Sequence, residues 1–233
     1  MYQAVFFDAF NTLFSLQWRR DATTTRRLPL QQTAKHLGHG LDARLQAVYG
    51  RARSGEGDQA SFLTRIFATL ADWTGYARSG PLVILRRNDD TVRRWFKVHS
   101  DTVSTLQELN QLCRLGIITN AWPYLESLLR VLGIWEYFQS VIISAQVGLS
   151  KPNPAIYELA LRQLCVGAHE SLFIDDLAAN VLAAERSGLT GLWLVRTPSK
   201  ATSIPPAYRG LTQISSLNEV LPFVLRAPGY GQA

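Results

Sequence analysis

A short, continuously apolar run opens the chain: residues 3–8, QAVFFD, combine β-branched and aromatic side chains and close on an acid. That pattern predicts a buried strand with Asp8 at its carboxyl end. From 15 to 100 the rhythm is helical. LPLQQTAKHLGH, DARLQAVYGRAR, DQASFLTRIFATLADW and DDTVRRWFKVH each repeat apolar residues at three- and four-residue spacing, separated by Gly/Ser breaks at 38–40, 54–57 and 79–81. After 101, helical and strand patterns alternate. TVSTLQELNQLCR leads into LGIITN, PYLESLLRVLG into SVIIS, PAIYELALRQL into SLFIDD, and AANVLAAERSG into LTGLWLV. Strands so short and so apolar are expected to be covered on both faces, and the intervening segments have the length of crossover helices. The expected architecture is α/β: a doubly wound parallel sheet built from residues 1–14 and 101–233, with an all-helical subdomain at 15–100 inserted after the first strand. Residues 197–212, which include Pro198, Pro205 and Pro206, read as an irregular surface loop, and SSLNEVLPFVL as a closing helix.

At 233 residues, 47% of them hydrophobic and 18% charged, the chain suits one filled core plus a subdomain. The composition excludes disordered, collagen-like and coiled-coil classes. No window approaches the roughly 20 apolar residues of a membrane span, and the N-terminal run lacks the basic flank of a signal peptide. Cys113 and Cys165 sit in apolar, helix-like surroundings and read as small buried hydrophobes, which fits a cytoplasmic location. The net charge of +6 is uneven: residues 15–100 carry 15 Lys/Arg against 7 Asp/Glu, the remainder 9 against 11. Nucleic acid and a small anionic substrate both fit such a patch, and charge alone does not choose between them. Without a basic face interleaved with aromatics or a reader motif, a small anionic substrate is expected, with no nucleic-acid or membrane partner, for a monomer or homodimer.

Ligands of open parallel sheets bind outside the carboxyl ends of the strands, and polar residues gather at four of those ends. The first strand delivers Asp8, then Asn11 and Thr12. The second delivers Thr119 and Asn120, with Trp122 just beyond. Lys151 follows the third in LSKPNP, and the fourth delivers Asp175 and Asp176, with Asn180 close behind. Three acids and one lysine suit a hard divalent cation held by oxygens, namely Mg²⁺. Thr119, Asn120 and Lys151 would surround the oxygens of a phosphoryl group, and an aspartate is a competent nucleophile toward phosphorus. Each residue alone has a plainer reading: Asp8 and Asp176 as caps, Thr119-Asn120 as the cap of the next helix, Lys151 as a solvated cation, Asn180 as a structural hydrogen-bonder. Arrival together at one sheet edge favours a site, with Thr12 and Trp122 as further candidate substrate contacts. The arginine pairs of the insert read mostly as solvated faces, and Trp18, Trp73 and Trp95 as packing. No Ser/His/Asp order, dinucleotide loop or P-loop occurs, and the histidines lack metal-ligand spacing.

VFFDAFNTLF, IITNAW, SKPNPAIYELAL and LFIDDLAANVLAAERSGL, in that order, resemble the four motifs of the haloacid dehalogenase-like (HAD) hydrolase superfamily over about residues 3–195. The resemblance implies a Rossmann-like core with 15–100 as the family's helical cap, and Asp8 as nucleophile. It also implies Mg²⁺ held by Asp8, the Phe10 carbonyl and Asp176, with Asp175 bridging to Lys151. One departure concerns Phe10, where most phosphatases of the family carry a second aspartate that moves protons. Its carbonyl can still hold metal; its side chain cannot move a proton, and such catalysis is typically worth about 10²–10⁴-fold. His99 and basic residues of the insert are conceivable substitutes. DAFNTLF also resembles the first motif of the 2-haloacid dehalogenases, which place an aromatic there, and Tyr157 fits their pattern; halide leaves without protonation and without metal. Asp175-Asp176 resembles the phosphatase pattern instead. Facing Asp8 without a cation, these acids would repel and raise one another's pKa. The expectation is a Mg²⁺-dependent phosphatase of a small phosphorylated metabolite, acting through an aspartyl-phosphate and restricted to good leaving groups such as acyl phosphates. The alternatives are a metal-independent 2-haloacid dehalogenase and a catalytically weak phospho-ligand binder.

Overall fold

The computed structural model describes residues 1–16, 96–121, 125–196 and 204–226. The chain divides into two compact units, Met1–Leu16 with Phe96–Ala233, and Gln17–Trp95. The helical pattern expected across 17–95, with its arginine pairs and Trp18, Trp73 and Trp95, lies outside the described residues.

In the first unit the apolar runs become strands: β1 (Ala4–Phe7), β4 (Arg114–Thr119), β5 (Ser140–Ile143), β6 (Ser171–Asp175) and β7 (Thr190–Leu194), joined at one edge by β8 (Thr212–Ile214). They form a six-stranded sheet in the order β5-β4-β1-β6-β7-β8, with every pair parallel. Counted in sheet order this is the doubly wound 3-2-1-4-5-6 arrangement, whose direction of winding reverses between β1 and β6. Helices α1 (Thr102–Leu109), α2 (Leu125–Val131), α3 (Ser144–Val147), α4 (Pro154–Leu164), α5 (Ala178–Arg186) and α6 (Val220–Leu225) connect and flank the strands.

All four residues of β1 are buried, as a central strand covered on both faces requires. Phe6, Ile118, Ile142 and Phe173 pack on one side with Ile156, Tyr157, Ala160 and Leu164 of α4 and Ala184 of α5. Gly116 lies opposite Phe6 in the β1–β4 register. A Cβ there would come within 2.6 Å of the Phe6 ring and 3.3 Å of Leu164. Both neighbours are buried, so Gly116→Ala is expected to cost about 1–3 kcal/mol through overpacking, measured as a lowered urea midpoint at unchanged slope.

Three expectations from the sequence need correction. The DDTVRRWFKVH pattern ends in a strand: β3 (Phe96–Val98) pairs antiparallel with β2 (Phe14–Leu16). The alternation Phe96-Lys97-Val98 suits a ribbon that buries Phe96 and exposes Lys97. Residues 197–212 do not stay irregular to their end, because β8 begins at Thr212 and adds the edge strand. Cys165 is exposed, since it terminates α4 in a left-handed conformation, while Cys113 is half-buried. Both thiols are free.

Candidate active site

The parallel register carries chemistry to one edge. Val5, Phe6 and Phe7 lie level with Leu172, Phe173 and Ile174, so Asp8 leaves β1 beside Asp175 at the end of β6. The Asp8 N–H closes the ladder onto the Ile174 carbonyl at 2.8 Å. These two acids flank the point where the winding reverses, the place at which open α/β sheets bind ligands.

Lys151 enters between them. Its ammonium donates to Asp8 Oδ1 at 2.7 Å and to Asp175 Oδ2 at 2.6 Å, with all three side chains buried. Asp175 is further held by the protein: Oδ2 also accepts from Asn180 Nδ2 (3.0 Å) and Oδ1 from the Leu177 N–H (2.7 Å). Asn180 is itself fixed, its carbonyl accepting the Tyr157 hydroxyl at 2.8 Å. Asp176 accepts from Asn11 Nδ2 at 3.1 Å, and its carbonyl accepts the Trp193 indole N–H at 3.0 Å. One oxygen from each of Asp8, Asp175 and Asp176 falls within 4.8 Å of the others.

Asn120 grips the Lys151 backbone from both sides. Its amide donates to the Lys151 carbonyl and its side-chain oxygen accepts the Lys151 N–H, both at 2.8 Å. The side chain expected to reach a phosphoryl oxygen therefore spends its oxygen and one N–H on holding the lysine. The Thr119 hydroxyl lies near enough to Asp8 to favour its charge, yet it is buried without a well-aligned hydrogen bond. Thr12 Oγ1 is likewise buried and unpartnered. Trp122 lies outside the described residues. The Phe10 ring is built into an aromatic cluster, edge-on to Phe14 (centroids 4.7 Å apart) and Phe96 (6.3 Å).

Electrostatics follow from crowding. Burial, then repulsion from Asp175, push Asp8 up to about 6 against the pull of Lys151. Burial and the charges of Asp175 and Asp8 push Asp176 up to about 8. Burial alone would lower the Lys151 pKa, but the two carboxylates it touches more than offset that and raise it. Three ionised carboxylates against one ammonium leave an excess of two negative charges among the described residues. Such a set of hard oxygen donors fits a hard divalent cation, whose charge would favour the ionised forms of Asp8 and Asp176.

Asn11 is the residue whose role the sequence pattern left unstated. It takes a left-handed φ of 58°, which asparagine tolerates better than most side chains, and this turn directs its amide to Asp176. The signal was available: an asparagine immediately after a strand-end motif.

A doubly wound sheet with buried carboxylates and a lysine at its switch point defines a Rossmann-like core with a polar site at the carboxyl edge of its strands. Over residues 2–188 the sequence matches the haloacid dehalogenase-like hydrolase family, and the chain belongs to it. It is 33% identical over 172 residues to a phosphoglycolate phosphatase of Yersinia pseudotuberculosis, covering 68% of this chain and 73% of that protein. It is 36% identical over 104 residues to a glyceraldehyde 3-phosphate phosphatase of Methanopyrus kandleri; that match covers 43% of this chain and 44% of the relative, less than half of its length. Among solved structures, a HAD phosphatase from Thermococcus onnurineus superimposes with a TM-score of 0.68 over 96% of this chain and 98% of that one, at 22% identity, a likeness of fold. No helix among the described residues is long and apolar enough to cross a membrane.

Proposed function

We propose that the chain is a Mg²⁺-dependent phosphatase of a small phosphorylated metabolite, cytoplasmic, with the segment between β2 and β3 as its cap domain and the rest as its core. The observation that carries the reading is the clustering of Asp8, Asp175 and Asp176, the first two sharing one buried lysine, an acidic excess suited to a dication. The phosphatase names of the relatives support the substrate class.

Asp8, Asp176 and the Phe10 carbonyl would hold Mg²⁺, which when bound supplies positive charge beside the phosphoryl oxygens. The chain's own residues do the rest. The Asp8 carboxylate attacks phosphorus in line; an O–P bond forms to Asp8 as the bond to the leaving oxygen breaks. Lys151 orients Asp8 and, with the Thr119 hydroxyl, stabilises charge on the phosphoryl oxygens. Asp175, Asn180 and Asn120 fix Lys151 in place. Water then adds to the phosphorus of the aspartyl-phosphate, releasing phosphate and regenerating Asp8.

The leaving oxygen departs without a proton from position 10, because Phe10 has none to give and its ring is packed against Phe14 and Phe96. Substrates whose leaving group is stable as an anion are therefore favoured. In a phosphate-release panel with Mg²⁺, acetyl phosphate and p-nitrophenyl phosphate are expected to exceed glucose 6-phosphate in kcat/KM by at least about 100-fold. Phosphoglycolate and glyceraldehyde 3-phosphate belong in the same panel, and EDTA is expected to abolish release. The reverse preference would refute the leaving-group argument. Phe10 also favours a second reading, a metal-independent 2-haloacid dehalogenase. Halide release from 2-chloropropionate in EDTA, without phosphatase activity, would establish it in place of the first.

A further inference from the structure

One guanidinium ties together four segments distant in sequence. Arg196, two residues beyond β7, donates from Nε to the Asn11 carbonyl (3.2 Å), from Nη2 to the Thr12 carbonyl (2.7 Å) and from Nη1 to Asp101 Oδ2 (2.9 Å). Asp101, buried just ahead of α1, uses the same oxygen to accept from the Ser216 hydroxyl (2.9 Å) and the Leu217 N–H (2.8 Å). Burial works against its charge, but the hydrogen bonds from Arg196, Leu217 and Ser216 prevail and hold it below the usual carboxylate range. The fork is thus fixed at its far end by an ionised acid bonded to the segment before α6.

The two carbonyls it grips belong to the turn that carries the nucleophile. Within Asp8–Phe14, the Leu13 N–H bonds the Ala9 carbonyl at 3.0 Å and the Asn11 N–H the Phe14 carbonyl at 2.7 Å. Asn11 stands in the left-handed region, a conformation that persists where surroundings over-determine it. Phe10 precedes it, and the Asn11 side-chain amide donates to Asp176. Residues 11 and 12 thus have both carbonyls fixed by Arg196. A lysine, with one compact ammonium, cannot match three acceptors spread around a planar fork.

We propose that Arg196 is a positioning residue for the hydrolytic site, locking the Asp8–Phe14 turn so that Asp8, the Phe10 carbonyl and the Asn11–Asp176 contact stand in register for the cation and the phosphoryl group. This rests on the function proposed above. Arg196 lies outside the four motifs, just past the carboxyl end of β7.

The test compares full-length wild type with Arg196→Met and Arg196→Lys by hydrogen exchange, by calorimetric titration with MgCl₂ alone, and by melting. In Arg196→Met the amides of Asn11 and Leu13 are expected to exchange at least about tenfold faster while β1 and β4 keep wild-type protection. Mg²⁺ is expected to bind about tenfold more weakly, and kcat to fall at nearly constant KM. Arg196→Lys, holding one carbonyl, is expected to lie between the two, and it carries the comparison if the methionine variant does not fold. Unchanged protection of the turn would overturn the proposal. So would protection lost evenly across the core in step with a lower melting temperature, which marks a structural tie. If wild type itself fails to bind Mg²⁺, the metal reading falls, while the exchange pattern still decides whether Arg196 holds the turn.

Discussion

Replacing Lys151 with methionine is expected to lower the melting temperature at pH 8 by roughly 10 °C and to abolish turnover. The ammonium is the shared partner of two buried carboxylates, at 2.7 Å and 2.6 Å, and it is itself almost wholly withdrawn from water. Removing one member of such a set leaves uncompensated charge in a poorly solvated place, a loss of about 3–5 kcal/mol. For a chain of this length each kcal/mol moves the melting point by about 2–4 °C. The loss is expected to shrink toward pH 5. Asp8, already pushed up to about 6 with the lysine present, climbs further without it and takes up a proton there in place of bearing an unpaired charge. Melting curves in EDTA at pH 5 and pH 8 measure the difference. An equal loss at both would mean that the lysine serves packing alone.

Asp8→Asn is expected to move activity and stability in opposite directions. Turnover falls by at least about 10⁴-fold, because the proposed nucleophile is gone. Stability in EDTA at pH 8 rises. Asp8 and Asp176 have folded pKa values near 6 and 8 against an ordinary 3.8. The folded wild type therefore binds more protons than the unfolded chain between about pH 4 and pH 8, and it loses stability as pH climbs through that window. Asparagine at position 8 removes one of the two contributions, so the variant melts above wild type at pH 8, with the gap closing near pH 4. Adding Mg²⁺ in place of EDTA is expected to raise the wild-type melting point more than that of the variant. A variant less stable than wild type at pH 8 would contradict the electrostatic account of the acidic cluster.

What the sequence disclosed here was chiefly local pattern. Ala4–Phe7 and Ser171–Asp175 are strands because each is a short apolar run closing on an acid, and their parallel register then obliges Asp8 and Asp175 to meet. Thr119 and Asn120 were legible as strand-end residues for the same reason, and Lys151 as a residue of the segment after β5. Division of labour among them was not. Whether Asn120 faces a ligand or clasps the Lys151 backbone depends on the path of the loop after α3, which composition does not encode. The ribbon of Phe14–Leu16 with Phe96–Val98 escaped because three-residue strands far apart in sequence carry no periodicity of their own. Apolar residues at 92, 95, 96 and 98 also satisfy a helical spacing. Arg196 and Asp101 escaped because each sits at the margin of an element, where an isolated charge reads as solvated surface. The contacts of Arg196 with the Asn11–Thr12 turn exist only once β7 lies two strands from β1.

In the proposed function, Asp8, Asp176 and Lys151 form one phosphoryl-transfer centre around a dication. The most direct measurement is a crystal structure of the chain grown with MgCl₂ and beryllofluoride. Trifluoroberyllate is expected bonded to an Asp8 oxygen, within hydrogen-bonding reach of Lys151 and Thr119, with Mg²⁺ shared by Asp8 and Asp176. Ordered density for the carboxylates with neither beryllium nor magnesium between them, at millimolar concentrations of both, would contradict it.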